Sequence, residues 1–323
     1  MSLKKIATLL LTGILALSFT ACSKKAETNG GESENPVVVS PSEGASEENI
    51  AKGTELLEAA KIKIEELKSY NADMGLRFEF VNNDGSSSAD VKTTVESLSE
   101  PMLKHIAIDS TSGGEPIGNS QFYVNEENAE KTIYMLFQDE WYKSPVDDDT
   151  LYYLLGQYDM QNITSVFLIA SSDAVAVDEE EIDGVKTTKV EAIISADLLP
   201  NTLIYTGVFV AAGMSTLTEE YLAGVNGMIV DYWIDDDGNI IKYAFDAGEA
   251  YQTISDNLYA KVEGTEGYED AQKLVVNSYA IDVKMKNINS AERFEISQDA
   301  LNAQAIEDME AVEDGTSTQE QSN

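Results

Sequence analysis

An α+β protein built on one large antiparallel sheet is predicted by three features of this 323-residue chain. Two long stretches, one near each end of the folded part, alternate apolar and polar residues with a period of two. Turn residues recur at short intervals between the alternating runs. The middle of the chain changes to apolar spacings of three and four. Strands, then helices, then strands again describe a sheet with its helical middle folded against one face.

The first 21 residues carry the parts of an export signal: Lys4 and Lys5, the apolar run Ile6 to Phe19, and small residues before Cys22. That run is short and broken by Gly, Ser and Thr, whereas a membrane span needs about 20 apolar residues. The junction "FTAC" resembles the bacterial lipobox. The resemblance implies that Cys22 receives a diacylglyceryl group on its sulfur before cleavage on its amino side. Cys22 is the single cysteine of the chain, and only a thiol is nucleophilic enough at neutral pH for such alkylation. It is expected to be an anchor and not a catalyst. Residues 22–48 then form the lipidated cysteine and an acidic tether, rich in Ser, Gly, Glu, Asn and Pro. Residues 49–300 are expected as one domain, and residues 301–323 as an acidic, polar tail.

The first element of the domain is a helix from about Glu47 to Lys68, with Leu57, Ala60, Ile64 and Leu67 on one stripe. The period then becomes two. Tyr70, Ala72, Met74, Leu76, Phe78 and Phe80 point one way from a long, half-buried strand. Strands at Ala89–Leu98, Met102–Asp109, Gln121–Val124 and Thr132–Phe137 follow, the last leading to "EWYKSP", with "NNDGSSS" and "GGEPIGN" as turns. After Pro145 the residues Leu151, Leu154, Leu155 and Tyr158 mark a helix, and "NITSVFLIA" fits helix or strand. A hairpin is expected around Asp183 and Gly184. The apolar dozen from Leu203 reads as a buried helix too short for a membrane span. "STLTEEYL" reads as a short helix with a capping box, Thr216 with Glu219. "GMIVDYWIDDDGNIIKYAFDAG" returns to strands, and a last alternation puts Val275, Asn277, Tyr279, Ile281, Val283 and Met285 on one face.

Fifty-eight acidic against 21 basic residues give a formal net charge of −37. Such a surface repels phosphate backbones and anionic headgroups, which excludes nucleic acid as a partner. Asp235, Asp236, Asp237 and Asn239 crowd around Gly238 as calcium ligands do. With Gly238 as the sixth loop position, however, the first would be Trp233 and the twelfth Ala244, so the spacing fails. A turn between two strands explains the same residues. Asp147, Asp148 and Asp149 suit a helix start, where the dipole favours carboxylates. His105, the only histidine, is expected to point to solvent, with no second histidine or cysteine to help hold zinc. No G-x-S-x-G, phosphate-loop or H-E-x-x-H pattern is present. No enzyme activity, metal or cofactor is expected.

A twisted sheet covered by helices this apolar closes over either a solid core or a cavity for a hydrophobic ligand. Leu151, Leu154, Leu155 and Tyr158 of the first middle helix are candidate lining residues, with Ile204, Val208 and Phe209 of the second. Sequence does not separate lining from core.

Several stretches together resemble a group of lipoproteins from Gram-positive anaerobes related to the LolA-like and LppX/LprG-like carriers. They are the lipobox at Cys22, the helix ending in "ELKSY" before a long alternating strand, "IYMLFQDEWYKSPV", and "VDYWIDDDGNIIKY". The resemblance spans roughly residues 50–290. It implies a half-open barrel with helices on its concave face, sheltering acyl chains in better-known relatives, and it brings no catalytic residues. The expected location is the extracytoplasmic face of the cell membrane, reached through lipid on Cys22. The expected ligand is a lipid or another hydrophobic molecule. The competing expectation is an envelope module with a solid core and a protein or cell-wall partner.

Overall fold

A computed structural model describes residues 40–82, 85–137, 139–212, 214, 217–265 and 273–306. The export signal, Cys22 and the chain beyond Ile306 lie outside them.

Helix α1, Glu47–Glu65, starts where Ser46 accepts a hydrogen bond from the Asn49 amide, with Glu47 and Glu48 in its first turn. It buries Gly53, Leu57, Ala60 and Ile64. A Cβ at Gly53 would sit 2.6 Å from the Ala176 nitrogen, so only glycine lets the helix lie this close to the backbone there. A six-strand meander follows: β1 Ser69–Asn82, β2 Gly85–Ser99, β3 Met102–Ser112, β4 Glu115–Glu127, β5 Glu130–Phe137 and β6 Glu140–Val146. Next come α2, Asp148–Leu155, a 3-10 turn at Gly156–Tyr158, and α3, Met160–Ala170. A second meander holds β7 Ser171–Ile182, β8 Val185–Ile194, β9 Met228–Asp235, β10 Ile240–Asp246 and β11 Val275–Lys286. Helix α4, Leu199–Thr206, precedes β9, and α5, Gly248–Val262, precedes β11. The C-terminal α6, Gln298–Leu301, and β12, Gln304–Ala305, end the described chain.

All twelve strands form one open sheet in the order β12-β6-β5-β4-β3-β2-β1-β11-β10-β9-β8-β7. The two meanders join where β1 pairs antiparallel with β11, and only β12 runs parallel to its neighbour. The fold is the expected α+β half-barrel. Its inner face and helices α1 to α5 share one continuous apolar core. On β1 the alternation emerges as read, with Tyr70, Ala72, Leu76, Phe78 and Phe80 buried.

Several local expectations are corrected. The helix from Leu203 stops at Gly207, whose φ of 65° makes a left-handed cap, and the chain then turns through Val210–Ala212. The β-branched and aromatic residues after Gly207 add little helix propensity to oppose that stop. In "GGEPIGN" only Gly113 and Gly114 turn, with φ of 57° and 86°. Pro116 already pairs with Thr111, and a bulge tolerates it. On β11 the register skips Asn277, so Val276 packs inward where Val275 and Asn277 were expected to. The segment "NITSVFLIA" is helical. Helix α5 has no counterpart among the expected elements. The capping-box residue Thr216 lies outside the described residues, and Glu219–Leu222 forms a 3-10 turn preceded by Thr218.

His105 does not face solvent. The chain after β11 folds back over the outer face of β3 to β6, where Phe294, Ile296, Ala300 and Ala303 pack with Tyr123, Tyr134 and Trp141. The imidazole stacks 4.4 Å from the Tyr123 ring and lies 3.0 Å from Glu96 through Nδ1. Local alternation cannot disclose a cover supplied from nearly 190 residues away.

Candidate ligand cavity

Three breaks in the helix layer meet above the middle of the sheet. Asp147 caps α2 by accepting from the Thr150 amide at 2.8 Å, and its hydrogen bonds to Thr150 hold its pKa below the usual carboxylate range. Asp148 pairs with Lys131, so the acidic triplet serves the helix start. Helix α2 gives way to the 3-10 turn that carries Gln157 and Tyr158. Helix α3 begins on an Asp159 cap and brings Ile163 and Phe167 over the sheet. Helix α4 ends at Thr206 and Gly207, where a Cβ would lie 3.3 Å from that of Gln157.

Beneath these ends lies a cavity of about 40 Å³, floored by Met74, Leu76, Tyr243, Phe245 and Ile281 of the sheet. Tyr158, Ile163, Phe167 and Val208 wall it. Its accessible side is formed by Met74, Gln157, Gly207 and Ala211, all of them half-buried. Among the described residues no Lys, Arg, His, Asp or Glu lines it. Burial pushes the phenol pKa values of Tyr158 and Tyr243 well up, so both hydroxyls stay protonated across the physiological range.

Of the sequence-derived candidates, Tyr158 and Val208 lie on this wall. Leu151, Leu154 and Leu155 are buried in the same core away from it, and Ile204 packs half-buried against that core. Phe209 is 1% exposed, edge-on to Tyr251 and Tyr279 with centroids at 5.4 and 5.1 Å. The floor residues were not among the candidates. Met74 and Ile281 belong to the correct inward sets, but which inward positions lie under the helix breaks depends on the packing.

A wider cleft, about 540 Å³, opens at the start of β9 and the start of α5. Its central polar groups are occupied in fastening α5 to β11. Asp246 Oδ1 accepts from the Gly248 and Tyr279 amides at 2.7 and 2.9 Å, and Oδ2 from Ser278 Oγ at 2.8 Å. Gln252 accepts from the Val276 amide and donates to the Leu274 carbonyl. The Asp235–Asn239 loop is likewise self-contained: Asp235 accepts from the Asp237 and Asn239 amides and from Asn239 Nδ2. Among the described residues no group of three or more His, Cys, Asp or Glu is arranged to hold a metal ion. None of the described helices is long and apolar enough to cross a membrane.

A family of unknown function, DUF6612, matches residues 52–163. No curated protein sequence matches the chain. Among solved structures, LprF from Mycobacterium bovis is similar at 13% identity and a TM-score of 0.43, covering 77% of this chain and 98% of its own. The lipoprotein LppX of Mycobacterium tuberculosis is similar at 14% identity and a TM-score of 0.39, covering 76% and 99%. An outer membrane lipoprotein-sorting protein domain from Vibrio parahaemolyticus is similar at 9% identity and 0.23, covering 79% and 98%. The LppX and lipoprotein-sorting groups that the sequence resembles are thus both represented. The likeness is one of overall course, and no ligand follows from it.

Proposed function

We propose that this chain is a lipid-anchored, extracytoplasmic protein that holds a hydrophobic ligand between its sheet and its helix layer and performs no chemistry on it. The observation that supports this reading is the incompletely filled apolar space under three helix breaks, in an interior otherwise packed as one core. The chain after the export signal, carrying Cys22→Ala, is to be purified and examined by native mass spectrometry. A co-purified lipid, or uptake of a long-chain probe, supports the reading. A protein that is empty and stays empty overturns it.

The size of the space supports a second reading. Ligand pockets run to roughly 300–1,000 Å³, and about 40 Å³ holds only part of a lipid. An envelope module with a filled core and a protein or wall partner fits the closed state equally well, and the empty outcome favours it. The anchor has its own test. Cys22→Ala in the producing cell should release the protein or stall it as a precursor. Unchanged membrane fractionation, with no lipid on the mature amino terminus, would remove the localisation.

A further inference from the structure

Asp, Glu, Lys and Arg make up 24% of this chain, yet the helix layer over the cavity is nearly without them. Residues 150–158, 160–172 and 198–218 carry none. Asp159, between the first two stretches, caps α3 and pairs with Lys104 at 2.9 Å. The lack of charge is not simply the mark of a buried layer. Tyr153 on α2, Ile169 on α3 and Tyr205 on α4 are 65%, 69% and 68% exposed, and Tyr152 and Leu198 are exposed with them.

These side chains share the outer side of the layer. On α3 the exposed residues are Asn162 and Ile169, seven apart, and Leu198, Asn201 and Tyr205 recur at three and four along α4, so each helix shows one outward stripe opposite its buried one. The two helices lie side by side. At one end Gly207, which closes α4, approaches Gln157 just before α3. At the other, Ser171 after α3 pairs with Ile194 a few residues before α4. Tyr205, with Tyr152 and Tyr153 of the adjoining α2, therefore stands at the end where the cavity has its accessible side, and Ile169 and Leu198 stand at the opposite end. The chain enters the domain beside that second end, where Ser40 Oγ donates to Asp173 at 3.3 Å. Seventeen residues separate Ser40 from Cys22, a reach of at most about 60 Å.

We propose that this uncharged face docks on the headgroup region of the bilayer, with Tyr152, Tyr153 and Tyr205 seated at the interface. The proposal rests on the membrane location argued above and adds an orientation to it. Charge selects the face: a body with a formal charge of −37 is repelled by anionic headgroups wherever its carboxylates approach them, and least where it has none. Tyrosine suits the position, because its ring is apolar and its hydroxyl stays wet at headgroup level. The point of entry agrees, since a chain running from Cys22 to Ser40 holds the Ile169 end near the membrane and leaves the tyrosines to seat the other. Docked in this way, the accessible side of the cavity opens toward lipid, and a hydrophobic ligand passes between bilayer and protein without crossing water.

The test uses the whole chain after the export signal with Cys22→Ala, so that no covalent lipid takes part. It is mixed with phosphatidylcholine vesicles, and the bound fraction is measured by sedimentation. The protein should bind, and binding should fall as phosphatidylglycerol replaces phosphatidylcholine at low salt and recover as salt is added. Tyr153→Ser with Tyr205→Ser, both at exposed positions, should lower the partition coefficient about tenfold. Ile117→Ser with Val275→Ser, which removes two exposed apolar side chains from strands β4 and β11, should leave it unchanged. No binding to phosphatidylcholine overturns the proposal, as does binding that the tyrosine substitutions do not weaken. Self-association abolished by those substitutions, with vesicles left unbound, overturns it in favour of an interface between copies of the chain. None of these failures touches the anchor, which membrane fractionation of the Cys22→Ala cells tests separately.

Discussion

Tyr279 and Tyr243 are the same residue type on neighbouring strands, both essentially inaccessible, and the fold treats them oppositely. Around Tyr279 the interior is finished. Its ring packs on Phe78, Phe209 and Tyr251 with centroids 5.1 to 5.4 Å away, and its hydroxyl closes on the Val208 carbonyl. Around Tyr243 the rings of Phe167 and Phe245 lie farther off, with centroids at 6.0 and 6.5 Å, its hydroxyl faces Thr164, and the side chain floors the cavity. The two regions meet at Val208, which belongs to the cavity wall and also supplies the carbonyl that Tyr279 uses. One region carries stability; the other trades packing for unfilled apolar space.

Substitutions sharpen or break this contrast, and urea unfolding measures each. The largest effect belongs to Phe209→Ala, which removes a fully enclosed ring from the finished region and should cost about 3–5 kcal/mol. A loss under about 1 kcal/mol would mean the finished region is not the stabilising one. Tyr279→Phe comes next. It leaves the buried Val208 carbonyl without its donor, at about 1–3 kcal/mol. Gly207→Ala forces a side chain into φ 65° where the two regions join, and should cost about 1 kcal/mol while changing probe uptake. The smallest effect is expected of Tyr243→Phe, at about 0.5 kcal/mol, the low end for a neutral hydrogen bond, since its hydroxyl faces another hydroxyl, that of Thr164. Should it cost as much as Tyr279→Phe, the two tyrosines are equivalent and the contrast disappears.

The acidic motifs and the lone histidine were legible to different degrees. Asp147 at the α2 cap and the Asp235 turn emerge as read, because both depend on hydrogen bonds within four residues. His105 did not, because the segment bearing Phe294 reaches it only through the tertiary fold. Helix α5 escaped for a related reason. Its buried set is short, Ala250, Tyr251 and Ile254, and its anchorage is the side chain of Gln252 on the strand it packs against. In the candidate cavity, Tyr158 and Val208 could be picked out as apolar positions in helical country, while Leu151, Leu154, Leu155 and Phe209 share the same signature and went to solid core.

From the sequence alone came the strand alternation, the helix starts near Glu47 and at the Asp147–Asp149 triplet, and the Asp183–Gly184 hairpin, whose two positive φ angles of 50° and 84° suit that pair. Each is set by backbone sterics and hydrogen bonds among residues close in the chain. Only the tertiary structure decided that β1 pairs with β11, that Asn277 is bulged out, and that three helix ends meet over Tyr243. Those outcomes follow from filling one shared interior, in which a side chain's neighbours are chosen by shape and not by sequence distance.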